Sequence, residues 1–281
     1  KKKFIKFVKY LILFIMSRNF KSCLITGITG SGGSYLAEHI ISKNLKTKIH
    51  GFYRSRGYLD LLKKNHGSKI NFLKVDLTNY KNTLDGLKKS KPDLIFHLAS
   101  NADVRGSFDE PLLHTKNNTS ITANLLEAVR RLKIDPLIII CSTSEVYGNV
   151  KRKDMPIKEN QMIAPINPYA VTKTYQDLLS QVYASSFNLK IIITRMFSYT
   201  NARRKNLFQT AFAMQIARCE KKLQKTMRHG NLNSVRTIIK NKNDSRVCIV
   251  DNKDNFINIL SGKIDHIFYA YEEVLKCIKK Y

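Results

Sequence analysis

The chain has 281 residues, 43% of them apolar, enough to bury one large core or a core with a smaller satellite, and this excludes a disordered chain. Lys and Arg total 49 against 21 Asp and Glu, a formal net charge of +28. The lysines are scattered from Lys1 to Lys280 with no basic stripe interleaved with aromatics. That argues against a nucleic-acid reader and leaves a positive field suited to a nucleotide-diphosphate ligand.

Five cysteines, odd in number, widely spaced and without a CxxC pair, argue against a disulfide framework or a zinc site. They fit a reducing compartment, so a cytoplasmic location is expected. Residues 1–20 read as an N-terminal extension. The segment KKKFIKFVKYLILFIM starts basic, but its apolar run is too short to span a bilayer and no small-residue cleavage site follows. Met16 reads as the natural start, and membrane contact is not expected.

From Ser22 onward, short β-branched runs alternate with helical patterns. Strands are predicted at 22–26, 48–53, 70–75, 94–98, 137–141 and 190–197. Helices are predicted at 34–44, 80–89 and 120–132, with a long one from near Pro168. Two mononucleotide-binding halves result, hence an α/β fold with a doubly wound parallel Rossmann sheet over residues 21–197. Beyond Ser198 the alternation weakens: a helix is expected at 207–219, a polar aperiodic stretch at 240–255 and another helix at 267–279. Residues 198–281 therefore read as a smaller, divergent and shortened substrate-binding region.

The segment LITGITGSGGSYLAEHI places Gly27, Gly30 and Gly33 between a strand and a helix. A tight turn needs the first glycine, close approach of pyrophosphate to backbone the second, and helix-to-strand packing the third. The second strand ends in HGFYRSRG, with Arg54 and Arg56 where an NAD site would place an acid. A guanidinium matches a 2′-phosphate bidentately, so NADP is expected over NAD; two solvated loop arginines are the bland alternative. Asp76, just past the third strand, is placed to meet the adenine.

CSTSEVYG ends the fifth strand and PYAVTK opens the next long helix. Tyr169 and Lys173 are four residues apart and share a helix face. An ammonium beside a phenol favours the phenolate, and a hydroxyl such as Thr143 can share a substrate proton. This set suits removal of a hydroxyl proton while hydride leaves the same carbon for a nicotinamide.

Together, TGITGSGGSYLAEHI, HGFYRSR, FHLAS, STSEVYG, PINPYAVTK, TRMF and GNLNSVRT resemble, in order from about Ser22 to Arg236, the extended short-chain dehydrogenase/reductases of the nucleotide-sugar type. The likeness is greatest to the GDP-mannose 4,6-dehydratases. It implies that Tyr169, helped by Lys173 and Thr143, takes the C4 hydroxyl proton of GDP-mannose, and that Glu145 takes the C5 proton so that water leaves from C6. It also implies cofactor contacts from Leu77, Leu98, Tyr169, Lys173 and Arg204, substrate contacts from Ser100, Ser198 and Arg236, and a homodimer or higher homo-oligomer. Ser198 stands where the family usually has an Asn that reaches the substrate, and its shorter hydroxyl cannot both donate and accept at that reach. The 4-epimerases generally lack an acid at the position of Glu145, whereas nucleotide-sugar decarboxylases share it. A different C4-oxidising enzyme (epimerase, 4-dehydrogenase or decarboxylase) and a catalytically decayed dinucleotide-binding paralogue remain open alternatives.

Overall fold

The structure is a computed structural model, and it describes residues 20–43, 46–197, 202–204, 207–228, 249–253 and 256–260. The chain divides into two compact units at the Phe197–Ser198 junction. In the larger unit the elements run β1 (Ser22–Thr26), α1 (Ser31–Ser42), β2 (Lys48–Tyr53), α2 (Leu59–His66), β3 (Ile70–Lys74), α3 (Tyr80–Ser90) and β4 (Leu94–His97). They continue with α4 (Val104–Asp109), α5 (Pro111–Leu132), β5 (Leu137–Thr143), α6 (Pro168–Phe187) and β6 (Ile191–Met196).

The six strands form one parallel sheet in the order β3-β2-β1-β4-β5-β6. Both faces are buried, which is why the strands read as apolar runs. Leu24, Ile95, Ile138 and Ile140 face a core that includes Leu87 of α3 and Leu125, Leu126 and Val129 of α5. Their alternates Cys23, Ile25, Leu94, Phe96 and Ile139 face the other core, closed by Ala37 and Ile40 of α1 and Leu62 of α2. The strand order reverses between β1 and β4, so the carboxyl ends of these two strands flank the crevice where doubly wound folds take their ligands.

The structure departs from the expected elements where polar residues are buried. α5 starts at Pro111 rather than 120, because the inward positions of its first turns are His114, Asn117 and Asn118, which give no apolar periodicity. Pro111, at the first helical position, suits the start. β5 runs on to Thr143 rather than stopping at 141, since Ser142 and Thr143 pair with Arg195 and Met196 of β6. α1 begins at Ser31, three residues early, and α2 and α4 were not anticipated.

In the smaller unit, α7 (Phe208–Glu220) matches the expected helix closely. The stretch read as aperiodic contributes β7 (Ile249–Lys253), which pairs antiparallel with β8 (Phe256–Leu260). The predicted helix at 267–279 and residues 1–19 of the extension lie outside the described residues.

Candidate active site and cofactor cleft

At the end of β1 the chain turns through Gly27, whose φ of +67° is in the left-handed region. A Cβ there would stand 2.8 Å from the Ala99 Cα and 2.9 Å from its N, so the turn and the segment after β4 approach too closely for any side chain. The Gly30 N–H bonds back to the Gly27 carbonyl at 2.9 Å, and a Cβ on Gly33 would collide with that same carbonyl. The turn leads directly into α1, whose first N–H groups and dipole favour an anion.

A cleft open to solvent lies at this turn. Gly27, Gly30, Arg54, Asp76, Leu77, Leu98 and Ser100 line it, together with Asn101 and Asn117. Arg54 donates from Nη1 to Asn117 Oδ1 at 2.9 Å and stands 3.7 Å from Asp76. Burial pushes the Asp76 carboxyl up, but hydrogen bonds from the Thr78 hydroxyl and N–H, with the Arg54 guanidinium, outweigh it and hold the group below its ordinary value. Gly33 and Arg56 are not on the lining. Gly33 packs α1 against the turn, and the Arg56 side chain is 84% exposed, 3.5 Å from Asp60 one helical turn on. Ser100, expected against substrate, lines the same cleft, and its buried hydroxyl has no hydrogen-bond partner among the described residues.

Thr143, Glu145, Tyr169 and Lys173 form a second group beyond the lining. Thr143 ends β5, and its Oγ1 accepts the Glu145 N–H at 3.3 Å, capping the 3-10 turn Ser144–Tyr147. The Glu145 carboxylate accepts from Asn167 Nδ2 at 3.2 Å. Asn167 is the N-cap of α6, its Oδ1 receiving the Ala170 N–H at 2.7 Å. Tyr169 and Lys173 follow on this helix, both buried. The Tyr169 N–H, an orphan donor of the first turn, bonds to the Ser107 hydroxyl of α4 at 3.1 Å. The Lys173 ammonium donates to the Cys141 carbonyl. Burial pulls its pKa below the ordinary lysine value, against smaller opposing contributions from Cys141 and Asp177.

Side-chain amides join the two groups. Asn117 Nδ2 donates to Asn118 Oδ1 at 3.0 Å, and Asn118 Nδ2 donates to Thr172 Oγ1 at 2.9 Å, one residue before Lys173. Beneath them His97 is fully buried. Its Nδ1 meets Thr26 Oγ1 at 2.9 Å and its Nε2 meets Thr122 Oγ1 at 3.1 Å. Thr122 spends its own proton on the Asn118 carbonyl, so Nε2 is the protonated nitrogen. Burial, then the Lys173 charge, pushes the imidazole down to about 3, so it is neutral at physiological pH.

Ser198 and Arg236 lie outside the described residues, and Arg204, part-buried, belongs to the smaller unit. The sequence reading did not single out Asn167, Asn117, Asn118 or Ser107. Asn167 carried a usable signal: Asn directly before a Pro that opens a periodic segment is an N-cap signature. The other three look like ordinary polar residues until α4 and α5 are packed together.

A six-stranded sheet in this order, with a glycine turn at its reversal point and a Tyr and Lys on the helix after β5, defines a Rossmann protein of the extended short-chain dehydrogenase/reductase class. The family model described as GDP-mannose 4,6 dehydratase matches residues 24–244, and the chain belongs to that family. GDP-mannose 4,6-dehydratase of Vibrio cholerae is 32% identical over 229 residues, covering 78% of this chain and 60% of its own length. Among solved structures, the UDP-N-acetylglucosamine 4-epimerase of Methanobrevibacter ruminantium is 28% identical with a TM-score of 0.63, over 70% of this chain and 63% of that one. The UDP-glucuronic acid 4-epimerase of Bacillus cereus, in complex with UDP-glucuronic acid and NAD, is 27% identical with a TM-score of 0.62, over 69% of this chain and 62% of that one. The chain spans about 60% of the length of the curated relatives it matches.

Proposed function

We propose that this chain is an NADP-dependent nucleotide-sugar 4,6-dehydratase, a lyase that converts GDP-mannose to GDP-4-keto-6-deoxymannose and water. The observation that carries the proposal is the 3.2 Å hydrogen bond from Asn167 to Glu145, which ties a carboxylate to the start of the helix bearing Tyr169 and Lys173.

The cleft fits a dinucleotide on two counts: the backbone at Gly27 leaves no room for a Cβ, and a helix N-terminus follows it. Gly27, Gly30, Asp76, Leu77 and Leu98 would hold the adenosine and pyrophosphate, with Gly33 supporting the turn. Arg54 would hold a 2′-phosphate, while Arg56 faces solvent beside Asp60. The epimerase of Bacillus cereus is in complex with NAD, so the preference for NADP rests on these arginines standing where an acid would hold a ribose hydroxyl.

Bound NADP supplies a nicotinamide that accepts one hydride and later returns it. Tyr169 takes the proton of the C4 hydroxyl, its phenolate favoured by the Lys173 ammonium, while the Thr143 hydroxyl steadies the same oxygen. Glu145 removes the C5 proton, made acidic by the C4 carbonyl, and passes it to the departing C6 hydroxyl, which leaves as water; C6 then regains the hydride and C5 a proton, giving the 4-keto-6-deoxy sugar. Ser100, Ser198 and Arg236 are proposed substrate contacts, Arg236 through a planar fork that suits a diphosphate, and Arg204 a cofactor contact.

The outward face of α6 exposes Val171, Tyr175, Leu178 and Val182 at helical spacing, which supports a homodimer or higher homo-oligomer. Cys23, Cys141 and Cys219 are free thiols, in keeping with a cytoplasmic location. Among the described residues no helix is long and apolar enough to cross a membrane.

A second reading, C4 oxidation or epimerisation of a related nucleotide sugar, is favoured by the likeness to two 4-epimerases. Incubation with GDP-mannose and NADP separates the readings. A product lighter by one water supports the dehydratase, and oxidation or epimerisation without loss of water supports the second. No turnover despite bound NADP would leave a decayed dinucleotide-binding paralogue.

A further inference from the structure

We infer that Asn117 is a specificity-determining residue for the cofactor: it sets the Arg54 guanidinium in place to take a terminal phosphate on the adenosine ribose, and so raises the preference for NADP over NAD. This rests on the reading that the cleft holds NADP. Arg54 sits at the carboxyl end of β2 with its side chain half exposed, and a long cation at such a site samples many rotamers unless something holds it. Asn117 projects from α5 into the same cleft, is buried, and accepts from Arg54 Nη1 at 2.9 Å. The bond uses one of the five guanidinium donors and leaves the rest of the fork for an anion.

The choice of an amide at this place matters. A carboxylate would also hold Arg54, but it would add a negative charge beside the incoming phosphate. Asp76 already stands 3.7 Å from the guanidinium. An amide orients the cation without neutralising it. Asn117 is itself immobilised, since its Nδ2 donates to Asn118 Oδ1, which also receives the Asn101 N–H at 2.8 Å. That second donor makes a substitution informative. In Asn117→Leu the Asn118 oxygen keeps a partner and the half-exposed Arg54 can turn to water, so no buried polar group is orphaned.

The test is calorimetric titration of the full chain with NADP, NAD and adenosine 2′,5′-bisphosphate, for the wild type, Asn117→Leu, Asn117→Asp, Arg54→Leu and the double variant Arg54→Leu/Asn117→Leu. The wild type is expected to prefer NADP. Asn117→Leu should lower the NADP-to-NAD affinity ratio about tenfold, the order expected for one hydrogen bond to a charged group. It should weaken the bisphosphate probe equally. A thermal melt of each variant checks that it folds, and Asn117→Asp, which sets a negative charge beside the phosphate, should lower the ratio at least as far. In the Arg54→Leu background the Asn117 change should have no further effect on the ratio. A wild type with no preference, or a preference that survives Arg54→Leu, overturns the NADP reading and this inference with it. A preference that depends on Arg54 but survives both Asn117 variants overturns this inference alone.

Discussion

The amide of Asn167 contacts Glu145 with its nitrogen, at 3.2 Å, and the first turn of α6 with its oxygen, at 2.7 Å from the Ala170 N–H. One side chain therefore sets both the direction of the carboxylate and the start of the helix that carries Tyr169 and Lys173. Glu145→Gln should bind cofactor as the wild type does yet form no dehydrated product. Asn167→Ser keeps an N-cap oxygen but loses the donor to Glu145, and should lower kcat about tenfold with little change in melting temperature. Mass spectrometry of the product and a thermal melt check both, and dehydration at the normal rate in Glu145→Gln would remove the assigned role.

The Lys173 ammonium lies below its ordinary value of 10.5 because it is buried. It should lose its proton earlier than a solvated lysine as pH rises, so turnover that needs the cation should decline on the alkaline side below pH 10.5. Lys173→Arg, charged throughout that range, should lack the decline even if its overall rate is low. A pH–rate profile with identical alkaline limbs in both proteins would contradict this.

Asp177 is fully buried and accepts from Arg195 Nε at 2.8 Å and Nη2 at 3.1 Å, with Ser142 Oγ at 3.2 Å and Gln181 Nε2 at 2.7 Å. Arg195 also reaches Tyr147 Oη at 3.0 Å and the Glu159 carbonyl at 2.8 Å. This pair clamps α6 to β5 and β6 under the site. Asp177→Ala should cost about 3–5 kcal/mol by leaving the arginine without its counter-charge. Adding Arg195→Met should recover much of the loss. Urea unfolding measures each, and a loss under about 1 kcal/mol for Asp177→Ala would show the clamp to be unimportant.

His97 folds as a neutral imidazole, with its pKa pushed from 6.5 down to about 3. Its contribution to stability is fully present above the unfolded value and is lost as pH falls from about 6.5 toward 3, because the unfolded chain takes up a proton that the folded one refuses. Between those limits the difference in stability between the wild type and His97→Gln should change by about 1.4 kcal/mol per pH unit. Parallel curves of unfolding free energy against pH would show that the ring titrates normally in the fold.

Gly27→Ala should weaken dinucleotide binding more than tenfold and destabilise the larger unit by at least ~1–2 kcal/mol, the cost of left-handed backbone in a residue with a Cβ. The clash with the Ala99 backbone adds to that cost. Calorimetry with NADP together with a thermal melt tests it, and normal binding would mean that the turn relaxes.

Much of the fold was legible because it rests on local pattern. β1 and β2 appear with the bounds expected for them, since each is a short, mostly buried run closed off by a Gly- or Arg-rich turn. The apolar pattern reveals only the later turns of α5, because His114, Asn117 and Asn118 occupy the buried positions of its first turns, and a polar residue facing inward looks in sequence like one facing water. The same blindness hid the hydrogen-bonded amides between Arg54 and Thr172. Arg54 and Arg56 were equivalent as sequence, but the fold turns the first toward Asn117 and the second toward Asp60 in solvent.

The sequence by itself determined the alternation of strands and helices, the glycine turn and the one-turn spacing of Tyr169 and Lys173, because each depends on residues close together along the chain. Only the tertiary structure decided which polar side chains hold them: Asn167 on Glu145, Ser107 on the Tyr169 N–H, Asn117 on Arg54. Those bonds join residues 22, 62 and 63 positions apart, and a hydrogen bond acts only within about 3 Å, a proximity that packing creates and no local pattern records.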